Sequence, residues 1–376
     1  MALLYKLHNQ IKHYEWGSHS LLPEFLGVEN RDGSPWAEMW MGTHPASPSE
    51  AEAGAGTVNL AQAAGELPFL FKLLAVERQL SIQAHPNLHQ AQEGFRREND
   101  AGLAPDAAQR NYRDANHKPE IICALSRFTA MAGFREFEQI RASFDEFASV
   151  AQLKETFIPL LRALESDSLK DFFRTLFEPS KNEIEKVCNF ILQNETCGAV
   201  LPEQWNLMKE LAAQYPADAG VLSPLYLNLF TLEPGQAVFV PAGILHSYIR
   251  GFGVELMANS DNVLRAGLTP KHTDISEMMN ILEFKPFMPQ IISPSSSSHF
   301  RYPSPCDDFS LSILRGGENT GEGGSICIIT EGELQAGNIT FKKGESFFLP
   351  PCGDLPSFSG NYSLFAASGT AAFGAS

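Results

Sequence analysis

The sequence is poor in cysteine and basic residues and has no long apolar run, and each absence excludes a class of protein. Its six cysteines form neither a C-x-x-C pair nor a dense framework, as is typical of reduced thiols in a cytoplasm. Lys and Arg total 28 against 44 Asp and Glu, and the formal charge of −16 argues against a nucleic-acid-binding protein. No run approaches the roughly 18 apolar residues of a membrane span.

The first residues lack the features of an export signal. MALLYKLHNQIKHYEW has only a short apolar patch, which Lys6 and His8 interrupt, so we expect no signal peptide. We therefore expect a cytoplasmic monomer with neither membrane nor nucleic-acid partners. An anionic ligand would need a locally basic site in so acidic a protein.

The pattern of apolar residues divides the 376 residues into regions, as expected for a chain long enough to form two or three domains. Strand-like runs dominate residues 1–134 and return after 220, whereas residues 135–219 space apolar side chains three and four apart, as amphipathic helices do. The serine-rich ISPSSSSH near residue 291 is typical of a flexible linker. We predict a mainly β protein with an α-helical insertion: a discontinuous catalytic domain (1–134 plus 220–285), a helical domain (135–219) and a C-terminal β domain (286–376).

The sequence of the helical region has one regular apolar face and no group of residues typical of a catalytic site. We expect it to be a scaffold. The residues predicted to line that face are Leu153, Phe157, Leu160, Leu161 and Leu164.

A weak internal repeat links the two β regions. PGQAVFVPAG, which begins at Pro234, resembles KGESFFLPPCG, which begins at Lys343. Aligning Gly235 with Gly344 places Leu355 where the first copy has His246. This repeat predicts two barrel-like β units, of which only the first carries the imidazole.

The segment SIQAHP places an amide and an imidazole on one side of an extended chain. Gln83 and His85 share a face because strand side chains alternate, and Pro86 belongs at a strand end. A half-buried strand with polar residues facing water explains an isolated pair of this kind. Two ligands of one metal ion are the alternative explanation.

Two further segments supply residues that could complete a metal site. Glu120 follows the histidine-containing stretch NYRDANHKP, and His246 lies in PAGILHSY, just past a strand and a turn. Zinc is bound by imidazole and carboxylate groups, and the summed ligand charge of about −1 would leave the ion electrophilic. His246 taken alone is better explained as an ordinary core or surface histidine, and Glu120 could simply begin a strand. His89 and His117 are also able to bind a metal.

The segment VELMANSDNVLRAGLTPKHTD contributes more polar residues. Three of them share odd parity along a stretch that we predict to be extended: Glu255, Asp261 and Arg265. If RGFG closes a tight hairpin with Gly251 and Phe252 at its tip, Tyr248 lies opposite Glu255. His246, Tyr248 and Glu255 would then share one face.

Several of these motifs recur together in one family. PWAEMWMGTHP, QLSIQAHPN, DANHKPE, PAGILHSY and GVELMANSDNVLRAGLTPKHTD resemble the type I mannose-6-phosphate isomerases, zinc-dependent enzymes of the cupin superfamily. The resemblance covers most of residues 5–285 except the helical region, with slight departures at Ala84 and Thr273. It implies a cupin (jelly-roll) barrel as the catalytic domain. The C-terminal region is the least family-like part, and we expect a degenerate cupin-like domain there.

The resemblance also implies a site and a reaction. It assigns one zinc ion per chain to Gln83, His85, Glu120 and His246, and a catalytic role to Arg265. The implied reaction interconverts mannose 6-phosphate and fructose 6-phosphate by moving a proton between C1 and C2 through an enediol.

The remaining roles stay open at this point. Three residues are candidates for the base that removes the carbon proton: Lys118, Glu255 and Asp261. The phosphate needs cations, and four residues could supply them: Lys72, Lys118, Arg265 and Lys271. Ser81 could add a hydroxyl donor. Trp16 and Tyr248 complete the expected substrate contacts. Each lysine taken alone is better explained as an exposed, solubilising charge.

Two other functions compete with the isomerase. A non-catalytic sugar-binding or regulatory cupin would keep the fold and lose the ligands, as the second repeat does at Leu355. An iron-dependent cupin oxygenase would favour two histidines and one carboxylate with open positions. The additional amide and the cationic residues argue against the oxygenase.

Overall fold

The structure, a computed structural model, describes residues 4–369 except 55, 151, 167, 199, 318, 352 and 353. Cys352 of the second repeat therefore lies outside the described residues. The strands are, in chain order, β1 (Tyr5–His8), β2 (Gln10–Lys12), β3 (Glu38–Gly42), β4 (Glu50–Ala53), β5 (Gly56–Asn59), β6 (Phe69–Val76), β7 (Ile82–Ala84), β8 (Glu120–Ala124), β9 (Phe128–Phe134), β10 (Leu227–Leu232), β11 (Ala237–Val240), β12 (His246–Ala258), β13 (Leu264–Gly267), β14 (His299–Tyr302), β15 (Ser310–Arg315), β16 (Asn319–Thr320), β17 (Ser325–Ala336), β18 (Ile339–Lys342), β19 (Ser346–Leu349) and β20 (Ser357–Ser368). The helices are α1 (Leu21–Leu26), α2 (Leu60–Ala64), α3 (Leu88–Asp100), α4 (Phe137–Ser149), α5 (Lys154–Glu165), α6 (Leu169–Thr175), α7 (Lys181–Gln193), α8 (Pro202–Gln214), α9 (Ser223–Tyr226) and α10 (Ile275–Ile281), with a 3-10 helix at Ala219–Leu222.

The strands form two large sheets, and the prediction of a mainly β protein with a helical region is confirmed. One sheet runs β10-β9-β12-β6-β3-β2, and β7, β8, β11 and β13 join it through β12 and one another. The other runs β14-β15-β20-β17-β19-β1-β4-β5 and also holds β16 and β18. All of the strand pairings within these sheets are antiparallel.

Strand β12 is the central element of the first sheet. Its first half pairs with β9 and touches β7, and its second half lies between β6 and β8. The predicted hairpin at Gly251 and Phe252 is wrong, because β12 continues through both residues. Between Tyr248 and Arg250 the register to β9 shifts by one residue. A bulge of this kind reverses the alternation of faces, so Tyr248 and Glu255 can still point to the same side.

The helices α4 to α8 pack on one another around aromatic side chains. Four of the five residues predicted to face inward are buried, while Leu161 is half-buried. Pro202 lies at the start of α8, where its missing N–H costs no hydrogen bond. The fully buried rings that fill this core include Phe144, Phe147, Phe157, Phe172 and Trp205.

The second sheet contains the second copy of the repeat. Gly235 and Gly344 both have φ of +86°, a conformation that favours glycine, and each precedes a short strand that ends before a proline. The interior around the second copy is apolar, and Leu355 packs against it. The residues that fill this interior include Cys327, Phe341, Phe347, Leu349, Phe358 and Leu364.

Two further features bear on the domain organisation. The N-terminal strand β1 pairs with β19, so the second sheet includes residues from both ends of the chain. The serine-rich segment has defined partners, because Arg315 donates from Nη1 to the Ser295 carbonyl (3.1 Å) and from its backbone N–H to Ser298 (2.7 Å). Among the described residues, no helix combines the length and the apolar character that crossing a membrane requires.

Candidate metal centre

Three buried side chains meet where strands of the first sheet begin or end. His85 directly follows β7, whereas Glu120 and His246 are the first residues of β8 and β12. Their potential ligand atoms all lie within 4.8 Å of one another, and each residue is at most 2% exposed. The Glu120 carboxylate lies 3.3 Å from Nε2 of His85 and 3.1 Å from Nε2 of His246.

The two histidines present a free nitrogen to this point. Nδ1 of His85 donates to the Asn262 carbonyl at 2.7 Å, and Nδ1 of His246 donates to the Ile244 carbonyl at 2.9 Å. Each Nε2 therefore carries a lone pair, and both are buried without a hydrogen-bond partner. Burial, and then the charge of Lys118, lowers the pKa of His85 to about 3, so its imidazole is neutral. Neutral imidazole is the form that binds metals.

The geometry fits a tetrahedral zinc ion. Bonds of about 2.0–2.2 Å to nitrogen and oxygen hold neighbouring donor atoms roughly 3.3 Å apart. The Glu120 separations of 3.3 and 3.1 Å to the two imidazoles agree with that spacing. A buried carboxylate between two unpaired nitrogens is the arrangement that an ion would complete.

Gln83 lies next to this group in the sheet, whereas the other two candidate histidines have different surroundings. Gln83 lies within β7, is 9% exposed, and is directly opposite His246 in the register of the two strands. Directly opposed residues share a face. His89 is exposed on α3 near Glu93, and His117 instead binds the Asp308 carboxylate at 2.9 Å.

Glu120 has two further buried neighbours. The Tyr248 hydroxyl donates to its Oε1 at 2.7 Å, and the ammonium of Lys118 lies 4.0 Å from its Oε2. Burial opposes ionisation, but His246 and His85 hold the pKa of Glu120 well below its usual range. Burial lowers the pKa of Lys118 and, together with Glu120, raises that of Tyr248. The tyrosine therefore remains a hydrogen-bond donor.

Lys72 lies in a second buried cluster next to the first. Its ammonium is 3.2 Å from Glu255 and 3.7 Å from Glu38, and it stands 5.1 Å from the centre of the Trp40 ring. Burial opposes its charge, but the two carboxylates raise the pKa of Lys72. Burial raises the pKa of Glu255 despite the neighbouring lysine. Lys72 is thus already neutralised by protein groups.

Asp261 lies in a loop, so the predicted odd-parity strand through residues 255–265 is wrong. Residues 259–263 separate β12 from β13, and alternation does not extend across them. Asp261 nonetheless faces His44, whose Nε2 is 3.4 Å from the carboxylate. The His44 ring accepts a backbone N–H at Nδ1, so its proton is on Nε2. This contact lowers the pKa of Asp261.

Three cations approach one another beside β13. Arg265 lies opposite Gln83 in the strand register and is half-buried. Burial and the nearby charge of Arg113 lower its pKa. Burial, Arg265 and Arg113 likewise lower the pKa of Lys271. Among the described residues, no carboxylate lies within ion-pair distance of any of the three, which leaves a locally basic surface in an acidic protein.

The two remaining predicted substrate contacts are only partly buried. Ser81 precedes β7, and the ring of Trp16 stacks on that of Tyr14 with centroids 5.7 Å apart. Trp16 also packs against the apolar cluster that contains Tyr248. No residue of 135–219 that the structure describes belongs to the metal-binding group.

Several residues around the site were not predicted: Glu38, Trp40, His44, Arg113 and Asn262. All five lie in motif segments quoted above, so their polar character inside these segments was the available signal. Their partners come from distant parts of the chain, and sequence spacing alone could not identify those contacts.

Comparisons with known proteins show what the chain is similar to. Residues 4–137 match the catalytic domain of phosphomannose isomerase type I. The chain is 37% identical to the mannose-6-phosphate isomerase of Escherichia coli K12, over 92% of this chain and 94% of that protein. It is 33% identical to mannose-6-phosphate isomerase 2 of Arabidopsis thaliana, over 90% and 87% of the two chains.

Solved structures show the same likeness. A zinc-bound mannose 6-phosphate isomerase superimposes with a TM-score of 0.88 at 35% identity, covering 98% of this chain and 100% of the other. The Salmonella typhimurium enzyme bound to fructose 6-phosphate and zinc gives a TM-score of 0.88 at 35% identity, with the same coverage.

Proposed function

The chain belongs to the type I mannose-6-phosphate isomerase family, and on this basis we propose how its residues carry out the reaction. It is a zinc-dependent enzyme that interconverts mannose 6-phosphate and fructose 6-phosphate. The observation that carries the proposal is the pair of buried, unpaired Nε2 atoms of His85 and His246 on either side of Glu120.

We assign the zinc ligands to four side chains: Gln83, His85, Glu120 and His246. When bound, zinc polarises oxygen atoms of the sugar and stabilises negative charge that develops on them. Glu120 is the one anionic ligand, so the site retains net positive charge. The hydroxyl of Tyr248 and the two backbone carbonyls at Nδ1 orient the ligands.

Lys118 is the best placed of the three candidate bases. Its nitrogen is buried 4.0 Å from Glu120, and its lowered pKa favours the neutral amine that can accept a proton. Glu255 is already paired with Lys72, and Asp261 is the more exposed carboxylate, held ionised by His44. We therefore assign removal of the carbon proton to Lys118. Asp261 fits an orienting contact to the sugar hydroxyls.

We assign the phosphate to the basic surface beside β13, and we keep the predicted catalytic role of Arg265, whose contact would strengthen as negative charge develops on the sugar. Arg265 and Lys271 were predicted to bind it, and the position of Arg113 supports adding a third cation. Burial, and then repulsion among these cations, lowers the pKa values of Arg265 and Lys271, and a doubly charged phosphate would relieve the repulsion. Lys72 is less suited because Glu38 and Glu255 already neutralise it. Ser81 and Trp16 remain proposed contacts. The hydroxyl of Tyr248, also predicted to contact the substrate, donates to Glu120, so we assign Tyr248 to the support of the metal ligands instead.

We also propose a division of the chain into domains. We describe the strands around the metal centre as a cupin barrel and the second sheet as a degenerate cupin-like unit, with boundaries near residues 134, 219 and 285. The pairing of β1 with β19 means that these units share one sheet. The free thiols Cys123, Cys188, Cys197, Cys306 and Cys327 support a cytoplasmic location. We propose a monomer.

A coupled assay tests the proposed function directly. The protein is incubated with zinc and mannose 6-phosphate, and fructose 6-phosphate is detected by its onward conversion. Formation of fructose 6-phosphate without oxygen consumption supports the isomerase. Saturable binding of the sugar without turnover would instead support a non-catalytic cupin, and oxygen consumption would support an oxygenase.

A further inference from the structure

Two loops next to the metal centre are joined by a dense set of hydrogen bonds. One loop is residues 113–116, which lead into Lys118 and β8, and the other is residues 259–262, which connect β12 to β13. We call these the loop pair. Their mutual contacts centre on two side chains, Asp114 and Asn262, neither of which has a role in the proposed reaction.

The Asn262 side chain uses its full hydrogen-bonding capacity. Its Nδ2 donates to the carbonyls of Asp114 (2.9 Å) and Asn116 (2.8 Å) and lies 3.2 Å from the Asp114 carboxylate. Its Oδ1 accepts the backbone N–H groups of Arg113 (2.7 Å) and Asp114 (3.2 Å). The residue is 0% exposed, so no water can replace these partners easily.

Asp114 binds the opposite loop in return. Its Oδ2 accepts the backbone N–H of Asp261 at 2.7 Å, and its Oδ1 accepts the hydroxyl of Ser260 at 2.9 Å. The same Oδ1 accepts the backbone N–H of Asn116 at 2.9 Å. The loop pair is therefore fixed from both sides.

This network determines where one carbonyl points. The backbone carbonyl of Asn262 accepts the Nδ1 proton of His85 at 2.7 Å, and this contact leaves Nε2 unprotonated and directed at Glu120. A group that binds the outer nitrogen of a metal-binding histidine fixes both its tautomer and its ring orientation.

We propose that Asn262 and Asp114 are positioning residues of the metal centre. They hold the loop pair so that the Asn262 carbonyl orients His85 for the ion, and neither touches the ion or the substrate. The inference rests on the proposed zinc site. A purely structural role for the loop pair would lower the stability of the apo and zinc-loaded proteins equally. A positioning role lowers zinc affinity itself.

The principal test is Asn262→Asp, which preserves size. A carboxylate can still accept from Arg113 and Asp114, but it cannot donate and it places a second negative charge beside Asp114. We expect the zinc dissociation constant, measured by competition with a chelator, to rise about 10- to 100-fold. The increase in Tm that zinc produces should shrink accordingly. The visible spectrum of the cobalt-substituted protein should change as well, because it reports ligand geometry.

Asp114→Asn provides a second variant. It keeps one acceptor oxygen and removes a negative charge, whereas Asn262→Asp adds one. Asn259→Ala is the matched control: it lies in the same loop, and its side chain makes no hydrogen bond with the described residues. The control should bind zinc with wild-type affinity.

The outcomes separate this inference from the proposed function. If the wild-type protein binds no zinc, the proposed site itself is wrong. If the wild type binds zinc and both Asn262→Asp and Asp114→Asn bind it equally well, the positioning role is refuted while the zinc site stands. An equal fall in the Tm of the apo and zinc-loaded forms, with an unchanged cobalt spectrum, would also refute it.

Discussion

Replacing Tyr248 with Phe tests whether this side chain supports the metal or contacts the sugar. The substitution removes one oxygen from a residue that is 1% exposed and leaves the ring packing intact. It deletes the hydrogen bond of 2.7 Å to the Glu120 carboxylate. A hydrogen bond to a charged group contributes about 1.5–3 kcal/mol. Because this bond is also present without the ion, only the part that orients Glu120 changes zinc affinity. Loss of such an outer partner lowers metal affinity about 10- to 100-fold, which corresponds to about 1.4–2.7 kcal/mol.

The assay is chelator competition on Tyr248→Phe, followed by steady-state kinetics at saturating zinc. Zinc binding should weaken while KM for the sugar phosphate stays near the wild-type value. Tyr302→Phe is the matched control, because Tyr302, in β14 of the second sheet, is equally buried and donates to the backbone carbonyl of Gly235. An unchanged zinc affinity with a raised KM would refute the reasoning and make Tyr248 a substrate contact.

Three further results follow from the geometry. Arg265→Ala should lower kcat more than it raises KM, and Arg265→Lys should restore part of the activity because it keeps the charge without the planar fork; a pure KM effect would limit Arg265 to phosphate binding. The second result concerns Glu345, whose carboxylate lies 2.6 Å from the ammonium of Lys6. Burial raises the pKa of Glu345, but the contact with Lys6 opposes this effect, and the net result is a lowered pKa. A carboxylate with a depressed pKa stabilises the fold above its unfolded pKa of about 4.3 and loses that effect as pH falls. Glu345→Gln should therefore lower the Tm at pH 7, by an amount that corresponds to about 0.5 kcal/mol or less, and should lower it less at pH 4. A Tm difference that grows towards pH 4 would contradict this reasoning. Lys154→Ala and Arg162→Ala change exposed charges of α5 and should leave turnover near wild type, whereas a 100-fold loss in a folded variant would show that the helices contribute to the site.

The proposed zinc ligands could be predicted from the sequence because they lie in compact motifs. Gln83 and His85 share one short segment, Glu120 directly follows Pro119, and His246 follows a proline-containing turn. Spacing alone left His117 open as a ligand. Its exclusion came only from its contact with Asp308, 191 residues further along the chain.

The side-chain faces of β12 and the contacts of the loop after it could not be predicted from the sequence. A hairpin was predicted to bring Tyr248 and Glu255 together, whereas a bulge in one continuous strand does so. A bulge depends on the pairing partner and has no fixed sequence signature. The fully satisfied Asn262 and the contact of His44 with Asp261 likewise depend on loops that only the folded chain brings together.

The central claim is that one zinc ion, held by Gln83, His85, Glu120 and His246, enables the isomerisation. The most direct test is to remove metal with a chelator and to measure conversion of mannose 6-phosphate while zinc is returned in steps at protein concentrations far above the dissociation constant. We predict that activity rises linearly and stops rising at one equivalent of zinc, and that Glu120→Ala shows no such break. Full activity in the metal-free protein, or the same break in Glu120→Ala, would contradict the claim.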